Sequence, residues 1–283
     1  MKYSLRRKIQ HNLYRAVAAA LYRLDGRPGY RQFEEGWIDV THHELTLPRL
    51  TPPFDGYRLT LFSDIHVGTW VNRSRLAALV EIVNQTLPDA VAITGDFISF
   101  KPGWFADDLI TALRALQPRE AKFAVLGNHD HWTSPRILRQ VFRESGIIEV
   151  SNTVHTLWRG EAMLHFAGVD DVLVGQEDLA QVLRSLPAEG AAILLAHEPD
   201  FADVSAACGR FDLQLSGHTH GGQIVFPLFG PHLPPLGKKY PCGQYQIHKM
   251  VQYTTRGVGT SVVRLRHRCP PEIAVFTLRS PMD

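Results

Sequence analysis

Five short clusters of aspartate, asparagine and histidine each stand directly behind an apolar run. Residues 57–62 lead into Ser63-Asp64-Ile65-His66, and residues 90–94 into Gly95-Asp96. Residues 122–126 lead into Gly127-Asn128-His129-Asp130, residues 191–195 into Ala196-His197-Glu198, and residues 213–215 are followed closely by Gly217-His218-Thr219-His220. These are oxygen and imidazole donors without a thiolate, a set that favours borderline divalent metals such as Mn, Fe, Zn or Co over Mg or Ca. Asp64, His66, Asp96, Asn128, His197, His218 and His220 are more ligands than one four-coordinate ion takes up, and they suit two ions sharing a bridging carboxylate. Two such ions about 4 Å apart polarise phosphoryl oxygens and lower the pKa of a bridging water, giving hydroxide near neutral pH. A lone histidine is most often a satisfied core residue, but seven donors in register behind five runs argue against separate structural roles.

The apolar runs read as β-strands. Between them lie segments of helical spacing at residues 73–85 (Leu76, Leu79, Val80, Val83), 105–116 and 135–145, the last with Pro135 well placed in a first turn. Regular strand–helix alternation predicts an α/β fold with a mostly parallel sheet and helices on its faces. Ligands of such sheets bind in the crevice at the carboxyl ends of the strands. Clusters running from residue 64 to residue 220 therefore converge on one place.

Composition bounds the rest. A chain of 283 residues with 45% hydrophobic and 20% charged residues is an ordinary globular protein of one large domain or two small ones. A net charge of +2 is too small for a whole-chain nucleic-acid footprint, so no nucleic-acid partner is expected. Cys208, Cys242 and Cys269 are scattered and indicate neither a disulfide framework nor a thiolate zinc site; they are expected as small buried or half-buried side chains.

The charge is nevertheless asymmetric. Lys2, Arg6, Arg7, Lys8, Arg15, Arg23, Arg27 and Arg31 precede Glu34 with only Asp25 between them, and Leu5, Ile9, Leu13, Val17, Leu21 and Leu24 share one helical face. The uncharged run 16–22 is far short of the ~20 apolar residues that cross a bilayer. Residues 1–25 thus read as a basic amphipathic helix on an anionic membrane surface. Packing on the protein's own core is the plain alternative, and a transit peptide is another in a eukaryotic source. Gly26-Arg27-Pro28-Gly29 ends the helix, which divides the chain into residues 1–35 and a catalytic domain over residues 36–283. The location expected is cytoplasmic, peripherally attached at the inner membrane face.

In their order and spacing the five clusters resemble the calcineurin-like metallophosphoesterases over residues 57–278. The resemblance implies a four-layer αββα sandwich with a dinuclear site at one edge. It assigns Asp64, His66 and His220 to one metal, Asn128, His197 and His218 to the other, and Asp96 to both. His129 would stabilise the transition state and protonate the leaving oxygen, with Asp130 read as orienting it. Gly217 to Gln223, Thr255 to Ser261 and Cys269-Pro-Pro-Glu272 are similar to the bacterial membrane-associated branch. That branch includes envelope phosphodiesterases and the lipid A pathway enzyme UDP-2,3-diacylglucosamine pyrophosphatase. The expected enzyme hydrolyses a phosphodiester or pyrophosphate by in-line attack of metal-bridging hydroxide. Manganese is the foremost metal, and the substrate is phosphorylated, membrane-related or lipid-linked, such as UDP-2,3-diacylglucosamine. The alternatives are a broad phosphodiesterase or phosphomonoesterase on soluble nucleotides, and a non-catalytic scaffold; complete ligand positions and the presence of His129 favour catalysis.

Other features allow two readings each. Arg256, Arg264 and Arg266 are diphosphate clamps or the solvated face of a strand interleaved by Val262, Val263 and Leu265. Gly257-x-Gly259 is a phosphate cradle or a plain turn. The proline-rich apolar stretch 226–236 is a lip for an acylated substrate, a second membrane contact, or a loop packed back on the domain. His42, His43, His155, His165 and His267 are expected on the surface or in loops, and His131 is given no role.

Overall fold

The structure, a computed structural model, describes residues 37–99, 105–226, 230–261 and 264–281. The expected N-terminal helix and linker lie outside these residues. The chain enters on β1 (Asp39–Thr46) and alternates through β2 (Tyr57–Phe62), α1 (Arg73–Gln85), β3 (Ala90–Thr94), α2 (Ala106–Arg114) and β4 (Ala121–Val125). Helices α3 (Asn128–Thr133) and α4 (Pro135–Ser145) and the short β5 (Ile148–Glu149) complete the first half. The second half runs β6 (Thr153–Arg159), β7 (Ala162–Gly168), α5 (Leu179–Ser185), β8 (Ala191–Leu195), α6 (Ala202–Ala207) and β9 (Leu213–Ser216). A two-residue hairpin of β10 (Val225–Phe226) and β11 (Gly230–Pro231) precedes β12 (Gly243–Ile247), β13 (Met250–Thr254) and β14 (Glu272–Arg279).

These strands form two six-stranded sheets rather than the single mostly parallel sheet that alternation alone predicts. One has the order β1-β14-β2-β3-β4-β5 and the other β12-β13-β9-β8-β7-β6. The split arises where β6 and β7 pair antiparallel through a tight turn, Arg159 opposite Ala162, and so found a new sheet instead of extending the first. The last strand, β14, returns to the first sheet between β1 and β2, parallel to one and antiparallel to the other.

Strand side chains alternate between two buried faces, which is why the runs are apolar throughout. Leu59 and Leu61, Ala90 and Ala92, and Phe123 and Val125 face the second sheet, meeting Phe166, Ile193, Leu195 and Leu213. Their neighbours Phe62, Val91, Ile93 and Ala124 face α1, α2 and α4, against Leu76, Leu79, Leu109, Leu138 and Phe142. On the far side, Ala192 and Leu194 pack with Val182, Ala202 and Phe201. Three apolar seams make four layers, the αββα sandwich.

Local signals agree with this arrangement. Asn72 caps α1 by accepting the Arg75 amide, while Ser134 and Pro135 open α4 and left-handed Gly146 closes it. Strands 57–62, 90–94 and 191–195 fall where expected, and the third run shifts back by one residue. Two expectations about single residues fail. His165 is fully buried in β7, bonded to Thr156 and to the Glu189 carbonyl at 2.8 Å each, because a paired strand satisfies both ring nitrogens inside the fold. Cys208 and Cys242 are exposed; only Cys269 is buried.

Phe123 stacks on Phe166 across the central seam with ring centroids 4.1 Å apart. Truncating Phe123 to alanine should cost about 3–5 kcal/mol. Denaturant titration should show this as a lower midpoint with an unchanged slope.

Candidate metal centre

The carboxyl ends of β2, β3, β4, β8 and β9 open at the same edge of the sandwich, three from one sheet and two from the other. Each chain turns sharply off its strand. Asp64, His66, Asp96, His218 and His220 all have φ between 49° and 69°, a left-handed backbone that non-glycine residues rarely adopt. Such residues cost on the order of 1–3 kcal/mol each and persist only where the surrounding structure fixes them. Glycines let the turns close: a Cβ on Gly95 would stand 2.7 Å from the Gly127 nitrogen, and one on Gly127 would collide with Asp96.

The turns bring the donors into one connected array. Asp96 Oδ2 lies between two imidazoles, 3.4 Å from His66 Nε2 and 3.3 Å from His197 Nε2. His66 Nε2 is 3.0 Å from His220 Nε2, which is 3.4 Å from Asp64 Oδ1. On the other flank, His197 Nε2 is 3.3 Å from His218 Nδ1. Zinc–nitrogen bonds are about 2.0–2.1 Å long, so neighbouring ligands around one such ion lie roughly 3.0–3.4 Å apart. The observed spacings have that value.

Protonation points the same way. His197 Nδ1 donates to the Thr94 carbonyl at 2.6 Å and His218 Nε2 to the Pro235 carbonyl at 2.9 Å. Since a carbonyl can only accept, the neutral ring of His218 turns a lone pair inward, and His197 does so once its Nε2 proton is given up. His66 is held through Nδ1 by Ser99 Oγ at 2.6 Å. Burial lowers the pKa of His66 and of His218 to about 3, which keeps both rings in the neutral, ligating form. Burial opposes charge on His197 as well, but Asp96, Glu198 and Asp64 outweigh it and raise its pKa, marking a place where positive charge is favoured. Asn128 Oδ1 is buried without a hydrogen-bond partner, an orphan acceptor at the same edge. The donor set and this orphan fit divalent cations.

A family model for calcineurin-like phosphoesterases matches residues 57–222, the span that holds all five clusters. The chain belongs to this family. The phosphoesterase is 34% identical to the uncharacterized metallophosphoesterase YkuE of Bacillus subtilis over 99% of both chains. It is 29% identical to the phosphodiesterase YaeI of Escherichia coli, over 93% of this chain and 96% of that one. Identity to a zebrafish transmembrane protein with metallophosphoesterase domain is 33%, over 86% of this chain and 57% of the relative. The protein is thus a metal-dependent phosphoesterase.

His129 sits at the rim of the array. Its amide donates to Asp96 Oδ1 at 2.9 Å, and its half-buried ring meets His66 edge-on with centroids 4.8 Å apart. Asp130 does not orient it as expected. Both Asp130 oxygens accept backbone amides, Phe97 at 2.9 Å and Ile98 at 3.2 Å on one, Gly127 at 3.0 Å on the other, so this carboxylate ties the β3 loop to the start of α3. Glu198, next to His197, likewise holds the amides of Val172 and Leu173, both at 3.1 Å.

The peripheral expectations change more. Arg256 is paired with Asp39 at 3.1 Å and Glu272 at 3.4 Å, so its charge is already matched inside the protein. Arg264 is exposed, beside residues outside those described. Arg266 is neither clamp nor solvated strand residue: among the described residues no strand includes it, and its buried guanidinium gathers the carbonyls of Arg256, Gly257 and Gly259 at 2.6–3.1 Å. Its Nη2 also stands 3.3 Å from His220 Nδ1. Gly257-x-Gly259 cradles no phosphate, since the amides of Val258 and Gly259 donate to Ser63 and Asp64 carbonyls. A Cβ on Gly257 would lie 2.7 Å from that of Asp64, so glycine there serves close packing behind a ligand. In the 226–236 stretch, Pro231 packs on Gly222 and Pro235 holds His218, which favours the packed-back reading for the described residues.

Ser99, the Thr94 and Pro235 carbonyls, and Arg266 support the donors in ways that residue order does not reveal. Only the odd proline-rich stretch carried a signal; backbone carbonyls leave none.

Replacing Arg266 by methionine keeps bulk but removes the donors that join the 256–259 turn to His220. Metal affinity, read by titration of the folded variant, should fall about 10- to 100-fold.

Proposed function

We propose that this phosphoesterase hydrolyses phosphodiester bonds using two divalent ions. Asp64, His66 and His220 would hold one, Asn128, His197 and His218 the other, and Asp96 would contribute to both. The observation that carries this reading is Asp96 Oδ2, nearly equidistant from His66 Nε2 and His197 Nε2 and so placed to serve two neighbouring ligand groups. Bound there, such ions supply charge that polarises phosphoryl oxygens and makes water acidic near neutral pH.

The chain's own residues do the rest. Asp96 and the buried imidazoles fix where positive charge lies, and a phosphate would be drawn to that charge. Water gives up one proton to solvent as its oxygen attacks phosphorus opposite the leaving oxygen, the P–O bond to that oxygen breaks, and His129 at the rim delivers a proton to it. The name of the E. coli relative, a phosphodiesterase, supports a diester over a monoester. Manganese suits the oxygen and imidazole donor set.

The basic residues 1–25 support a second element of the proposal: peripheral attachment to an anionic membrane, at the cytoplasmic face, with access to lipid-linked diphosphates such as UDP-2,3-diacylglucosamine. Among the described residues no helix is long and apolar enough to cross a membrane.

With manganese supplied, the protein should cleave bis-p-nitrophenyl phosphate faster than p-nitrophenyl phosphate, and UDP-2,3-diacylglucosamine belongs in the same screen. Turnover of the monoester alone would overturn the diester reading. Asp96→Ala should be folded and inactive; His129→Ala should keep its metals, by elemental analysis, and lose about 10²-fold or more in rate. Removing residues 1–25 should abolish sedimentation with anionic liposomes while sparing the small substrate. Persistent liposome binding would rule out that segment as the anchor.

A further inference from the structure

The short helix α3 carries an indole with no evident structural use. Trp132 is 62% exposed, although it lies three residues after His129. Residues at that spacing share one helix face. The two residues between them turn elsewhere, Asp130 to backbone amides and His131 Nε2 to Asp170 Oδ1 at 2.7 Å. Trp132 is therefore left beside His129, ring centroids 4.9 Å apart at 59°. His129 in turn stands 4.8 Å from His66. The three rings step outward from buried ligand to rim to solvent, and the last presents an open aromatic surface.

We propose that Trp132 is a stacking platform for a planar group on the leaving side of the substrate, so that the site prefers nucleoside or aryl esters to plain alkyl or sugar esters. The inference rests on the phosphodiester reading, in which His129 protonates the leaving oxygen. Of the two rings packed against His129, His66 lies with the buried donors and Trp132 faces solvent, so a group carried by that oxygen toward solvent meets Trp132. Indole and nucleobase faces stack without requiring a particular base, so this surface selects planarity and not sequence. Trp158 provides an internal control. It is equally exposed at 62%, but it pairs with Met163 at the start of β7, the end of the sheet opposite the ligand turns.

The test compares adenosine 5′-monophosphate with ribose 5-phosphate, which differ by the planar base, as competitive inhibitors of bis-p-nitrophenyl phosphate hydrolysis by the manganese-loaded full chain. Trp132→Ala should raise the inhibition constant of the nucleotide about 5- to 100-fold and leave that of the sugar phosphate unchanged. Trp132→Phe should restore part of the difference, and Trp158→Ala should have no effect. Equal inhibition by the two compounds in the unaltered protein, or equal weakening of both by Trp132→Ala, would overturn the proposal; the second result would make Trp132 a prop for His129. The same pair measured by calorimetry reads stacking without turnover. A protein that binds the nucleotide through Trp132 yet hydrolyses nothing thus refutes the phosphodiester reading and leaves the platform standing.

Discussion

The carboxylate of Asp96 is buried between the imidazoles of His66 and His197, with Asp64 a few ångströms further on. Anions this deep, this close together and this far from water are stable only with positive charge among them. Burial drives Asp64 up to about 7 and neutralises His66 and His218, so the protein's own groups meet that need only in part. The edge of the sandwich is thus a charge arrangement that divalent cations complete. The fold around it serves to keep these groups from relaxing away.

Two devices do so. The first is backbone: five of the seven donors sit in left-handed turns, a strain held by glycines that let neighbouring turns touch and by amides tied to Asp130 and Glu198. The second is the ring of partners outside the donors. Carbonyls of Thr94 and Pro235 set two histidine tautomers, Ser99 holds a third ring, and Arg266 gathers the turn behind Asp64 and His220. Arg266 is buried with carbonyl oxygens as its acceptors, so its charge reinforces three loops at once and is not available to a substrate.

Rim and floor differ in kind. The donors are buried and rigidly tied, whereas His129 is half-exposed and Trp132 lies in solvent. Charge is concentrated at the floor, and the aromatic surface open to solvent lies at the rim.

Candidate donors and the strands behind them were legible in residue order alone. Residue type dictates ligand chemistry, and an apolar run followed by glycine and a donor marks a strand end with little help from the rest of the chain. Residue order also named Asp64, His66, Asp96, Asn128, His197, His218 and His220 as one set, and these residues do lie at one edge. Tertiary structure decided that two sheets rather than one carry them, because strand pairing depends on where the chain turns back at Gly160 and where β14 returns. It also decided the fates of Arg256, Arg266, Asp130 and His165. A charged or titratable side chain looks alike in sequence whether it faces solvent, a carbonyl cluster or a buried carboxylate; only the neighbours assembled from distant segments fix which of these it meets.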